Sequence, residues 1–148
     1  MTFKRFISTV TGAFIFVFIF EYIVHAILLK DIYSTTSFLW RAEDVMIQYF
    51  HYTAMSQFLF TAAMVYMFHS LSKEFSFIEA FRFGVFVGLA IAAINIGTYA
   101  YMPISFKLSI LWAMASIIKC VGTLFVACIL YNKKKPEENS EEETKEEN

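Results

Sequence analysis

Residues 6–29, 45–71, 77–101 and 105–131 form four apolar runs, separated by breaks that are polar or carry proline. This limits the fold more than any other feature of the chain. An α-helix rises 1.5 Å per residue, so about 20 apolar residues cross a hydrocarbon core of roughly 30 Å. Each run exceeds that length and none shows the two-residue alternation of a strand. Helices also satisfy their own backbone groups where no water can reach. Short breaks make consecutive helices antiparallel neighbours. The expected fold is therefore all-α: a four-transmembrane-helix up-down bundle over 1–131, followed by a tail over 132–148. Composition agrees, with 58% hydrophobic and 17% charged residues, where soluble domains carry about a quarter charged.

Charge supplies the orientation. Lys4, Arg5, Lys73, Arg82, Lys133, Lys134 and Lys135 flank one side of the expected bundle, whereas Lys30, Arg41 and Lys107 flank the other. The side richer in Lys and Arg is normally cytoplasmic. Both termini are expected inside, in a bacterial cytoplasmic (inner) membrane, with the 30–44 loop outside. Tyr22, Tyr33, Trp40, Tyr99 and Tyr101 gather at that outer boundary as an aromatic belt would. The first run opens with basic residues like a signal peptide, but it is too long for a signal core and no small-x-small site ends it. The tail holds 7 of the 13 acids and 4 of the 12 Lys and Arg residues. Lacking apolar anchors, it is expected to be disordered and cytoplasmic. The bilayer is the expected partner; no basic patch of the kind that binds nucleic acid is present.

Two packing stripes stand out. Gly84, Gly88 and Ala92 recur every four residues, which permits close backbone approach. That ridge serves either packing inside the bundle or a homo-oligomer or complex contact; sequence leaves both open. Ser109, Trp112, Ser116, Lys119 and Thr123 share one face of the last helix. This face is expected to look inward, because lipid does not tolerate Lys119. Cys120 and Cys128 lie on that helix in no zinc or redox motif and read as small packing residues.

Ionisable groups inside spans are costly and mark candidate sites. Glu21 and His25 are four apart, hence on one helix face. Counting from the outer ends, His25 lies roughly 6 Å deep, His51 and Asn95 roughly 9 Å, Glu21 roughly 12 Å and Lys119 roughly 21 Å. Gln48 shares a face with His51. Three readings follow. Glu21, His25, His51, Asn95 and Lys119 form a structural network, or they bind or translocate a proton, a cation or a small polar ligand. In the third reading Glu21, His25 and His51 hold a metal, or His25 and His51 ligate a haem. No cofactor signature is complete, and none is the expected cofactor. Tyr33, Trp40 and Arg41 form a candidate lid over this layer.

His25 followed by Leu28 and Leu29, then Tyr33, then Leu39-Trp40-Arg41, resembles a group of small bacterial four-helix membrane proteins. Gly97-Thr98-Tyr99-Ala100-Tyr101-Met102-Pro103 is similar to the end of their third span. The resemblance covers most of 1–131 and implies the four-helix fold, without an activity. The expected function is a polar site in the outer leaflet, with an accessory subunit of a membrane complex as the alternative. The sequence carries no catalytic signature.

Overall fold

A computed structural model describes residues 2–72 and 74–146, with side chains described up to residue 132. Six α-helices appear among them, in chain order: α1 (Phe3–Tyr22), α2 (Lys30–Ser34), α3 (Glu43–Gln48), α4 (Phe50–Leu71), α5 (Phe77–Gly97) and α6 (Phe106–Glu146). The described residues contain no strand. Among the described residues, three helical segments are long and apolar enough to cross a membrane: Phe3–Leu28, Phe77–Ala100 and Phe106–Asn132. The chain is thus a helical membrane protein. Helix α4 is 22 residues long but falls outside that set; His51, Gln57 and His69 interrupt its apolar character.

The first apolar run is not uniformly α-helical. After Tyr22 the chain widens into a π-helix over Ile23–Leu28, and the Leu29 N–H reaches back five residues to the Val24 carbonyl at 2.9 Å. The second run is also divided, because Tyr49 (φ −97°, ψ 5°) separates α3 from α4. Glu43 and Asp44 occupy the first turn of α3, where acidic groups complement the helix dipole. At the start of α5, the Ser76 hydroxyl accepts the Glu79 N–H at 3.3 Å, the capping arrangement that a Ser-x-x-Glu sequence favours.

Helix α6 is the hub, packing against α1, α4 and α5. Its expected inward stripe is inward: Ser109, Ser116 and Thr123 are buried, while Met114, Ile118 and Ile129 on other faces are exposed. The buried Ser109 and Thr123 hydroxyls donate to the carbonyls of Phe106 and Lys119 in their own helix. The contact with α5 is the tightest. A Cβ added to Gly84 would lie 2.7 Å from the Val121 Cα, and one added to Gly88 would lie 2.7 Å from the Ile117 Cα. The glycine ridge is therefore filled from within the chain. The oligomer contact considered for it has no surface left there.

At the opposite end from the 30–44 loop, Arg5 donates to the Tyr131 carbonyl at 2.6 Å and lies 3.8 Å over the Tyr131 ring. Tyr131 stacks on Phe75 at 4.0 Å. Helix α6 then continues to Glu146. Continuing a formed helix costs far less than nucleating one, and Glu and Lys are good helix formers.

Candidate functional site

The π-turn and the 30–44 loop build the site. Trp112 on α6 has an indole N–H that can only donate, and it donates to the Tyr33 hydroxyl at 2.7 Å. The Tyr33 hydroxyl on α2 in turn shares a hydrogen bond with Nδ1 of His25 at 2.5 Å. Nε2 of the same imidazole faces Oε2 of Glu21 at 3.1 Å. The other Glu21 oxygen receives Nζ of Lys119 at 2.7 Å. The contacts thus run without a break from Trp112 through Tyr33 and His25 to Glu21, closed by Lys119. Burial pushes the Tyr33 hydroxyl up to about 12, and the nearby Glu21 charge adds to this although the Trp112 hydrogen bond opposes it. Tyr33 is therefore held in its neutral form.

The pair at the end of the chain is enclosed. Side-chain exposure is 18% for Glu21 and 14% for Lys119. Lys119 also sits 4.8 Å from the centre of the Phe60 ring. With the two opposite charges in contact, the site carries no surplus charge.

Next to His25 and Glu21 lies a half-open cleft of about 800 Å³. Its walls are chiefly aromatic, with Phe18 and Tyr22 from α1, Phe50 from α4, and Tyr33 and Trp40 from the 30–44 segment. Thr53 and Gln57 bring polar atoms to it from α4. Gln57 is the residue that sequence reasoning passed over. Its Oε1 is buried without a hydrogen-bond partner among the described residues. The available signal was a carboxamide alone in an apolar run.

The structure sorts the expected site residues. Glu21, His25 and Lys119 come together as expected, and Tyr33 joins them. Trp40 lines the cleft, pinned by its N–H to the Thr36 hydroxyl at 3.1 Å and set edge-on to Tyr33 at 5.3 Å. Arg41 does not close it; its guanidinium lies 4.4 Å over the Tyr49 ring. Asn95 serves a different contact, donating from α5 to the Ser116 hydroxyl of α6 at 2.8 Å. His51 is exposed and packs on Tyr52 at 4.2 Å. Phe50, Thr53 and Gln57 follow i, i+3, i+7 spacing and face the cleft; His51, two residues from Thr53, is turned roughly 200° away. Gln48 is also exposed.

The three residues expected to hold a metal are not gathered into one ligand set among the described residues. His51 stands apart from Glu21 and His25, and both nitrogens of His25 are engaged. Among the described residues, no group of three or more His, Cys, Asp or Glu side chains is arranged to hold a metal ion.

Comparison with known proteins finds no matching family model, no matching curated protein and no matching solved structure. The site's chemistry is therefore the ground for any functional reading.

Proposed function

We propose that this protein is a four-span bundle with both termini cytoplasmic, and that its outer-leaflet cleft binds a small ligand bearing a neutral polar group. The fourth span is α4. Its 22 residues extend about 33 Å, and Met55, Phe58 and Leu59 are exposed along it. Fusing a reporter after Asn132 and another within the 30–44 loop tests the orientation. The C-terminal fusion is expected to report from the cytoplasm and the loop fusion from outside; the reverse pattern overturns it.

One observation carries the binding reading: the cleft of about 800 Å³ has His25, Thr53 and Gln57 among its lining residues. A packed interior has few voids larger than a water molecule, and pockets of this size with a few polar groups in apolar walls are typical of ligand sites. Charge decides among ligands. Lys119 already neutralises Glu21, so the cation considered from sequence meets no excess negative charge. A neutral polar group is the better fit.

A structural role is favoured by a different observation. Every link from Trp112 to Lys119 is satisfied inside the protein, as in a network that fixes helix register. Purification in native lipid discs followed by mass spectrometry separates the two. Under the binding reading a small molecule accompanies the native protein and is lost from Ala26→Phe, whose ring fills the cleft. If the native protein carries nothing that Ala26→Phe lacks, the binding reading fails.

A further inference from the structure

We infer that the occupant of this cleft is the hydrocarbon chain of an uncharged lipid, which enters sideways from the bilayer. This rests on the ligand-binding reading above and names its substrate class. The first ground is what the wall presents. Glu21 and His25 turn their polar atoms to each other, to Lys119 and to Tyr33. The Trp40 N–H is spent on Thr36, and the Tyr33 hydroxyl lies between Trp112 and His25. Gln57 keeps its Oε1 buried, away from the opening. The Tyr22 and Thr53 hydroxyls are unspent, but both residues are exposed and stand at the open side. What the cleft shows a guest is therefore mostly carbon, from Phe18, Ala26, Met46 and Phe50.

Three fillings compete for about 800 Å³. An empty space of that size forfeits the contacts of every atom lining it, and packed interiors hold few voids larger than a water molecule. Water in such a place needs about two to four polar partners per molecule, and this wall has spent most of its own. A hydrocarbon chain needs none and restores the contacts. Position supplies it. Tyr22, Met46 and Phe50, which flank the cleft, are 62%, 47% and 54% exposed, and in a membrane that opening faces acyl chains. The head is uncharged, because Glu21 and Lys119 match each other and leave no ion on the wall to pair with a phosphate or an ammonium. A hydroxyl both gives and accepts a hydrogen bond, so Tyr22 and Thr53 suit an alcohol or an ester at the mouth.

The protein carries its own reporter, since Trp40 lines the cleft and bromine quenches indole emission on contact. The probe is a monoacylglycerol with a dibrominated chain, added to the full-length protein in phosphatidylcholine discs. Emission should fall steeply and saturate at a low mole fraction, because the probe is preferred over the host lipid. Ala26→Phe and Thr53→Phe fill the cleft from opposite walls. Both positions are exposed, so neither ring displaces a packed side chain. Each substitution should remove the saturable part and leave quenching in proportion to mole fraction. The same brominated chain on a phosphatidylcholine head should quench only in proportion, as should dibrominated benzyl alcohol, which has no chain. Proportional quenching by the monoacylglycerol, or saturation that survives both substitutions, overturns the inference. So does steeper quenching by the chainless alcohol, which points to an aromatic guest, or by the phosphatidylcholine, which points to a charged head. If saturation is absent while a molecule still accompanies the native protein and is lost from Ala26→Phe, the substrate class alone is wrong. If both fail, the binding reading falls with it.

Discussion

The two sides of α6 solve the same packing problem in opposite ways. Toward α5, glycines bring backbones so close that a methyl group has no room. Between α1 and α4, large rings keep the helices apart: Phe14 meets Phe58 at 5.7 Å and Phe18 meets Phe50 at 5.6 Å, both edge-on. In lipid, helices gain little from hiding apolar surface from their equally apolar surroundings, so association depends on contact and hydrogen bonds. The α5–α6 seam gains contact by closeness. The α1–α4 side gains it from ring edges, and rings leave space between them. The cleft lies on the ring-spaced side.

The comparison yields a graded set of expectations. The largest effect belongs to the tight seam. Gly84→Leu must push against the Val121 backbone and should cost well over about 3 kcal/mol, with Gly84→Ala at about 1–3 kcal/mol. Unfolding in mixed micelles measures this; a neutral Gly84→Leu would show that the seam opens freely. Breaking the charged pair comes next. Glu21→Gln leaves Lys119 buried without its counter-charge and should cost about 3 kcal/mol, while adding Lys119→Met should restore much of it. If the double variant is no better than the single one, the pair does not act as a unit.

Smaller effects sharpen the contrast. Asn95→Leu removes the hydrogen bond to Ser116 and should cost about 0.6–1.7 kcal/mol, the range for interhelical bonds in membranes. Gly97 has nothing within 4 Å of an added Cβ, so Gly97→Ala should be neutral or stabilising by up to about 1 kcal/mol. A large loss there would mean that the helix end packs against something else. The mildest concerns alkaline pH. Tyr33 is raised from 10.0 to about 12, so its neutral form favours the folded state. That contribution is complete below about pH 10 and disappears as pH climbs through about 12. The phenolate absorbance lost in Tyr33→Phe should therefore be the part that appears near pH 12; its appearance near 10 would place Tyr33 in water.

Much of this was legible in the residues, for identifiable reasons. Long apolar runs have one stable answer in a bilayer, so the helices could be read directly. Glu21, His25 and Lys119 could be paired because isolated charges must find each other. The role of His51 could not be read. Direction around the axis depends on which face of α4 packs inward, and Tyr49 interrupts the helix just before it. Gln57 went unnoticed because a carboxamide bears no charge to flag it. The division of labour between Gly84 and Asn95 on one side and His25 on the other depends on which helices become neighbours, which no single run encodes.

The wide turn over Ile23–Leu28 has a consequence of its own. It holds one residue more than an α-helical turn of the same rise, a spare unit that the strand of hydrogen bonds can hand along. Passing that unit one turn toward Phe18 would swing His25 about 100° around the axis while Phe3 and Leu29 stayed in place. Tyr33 would then lose its His25 partner, and its hydroxyl would be released toward the cleft. A helix built this way can rearm its own wall by slipping a single residue, with both ends anchored and no hinge required.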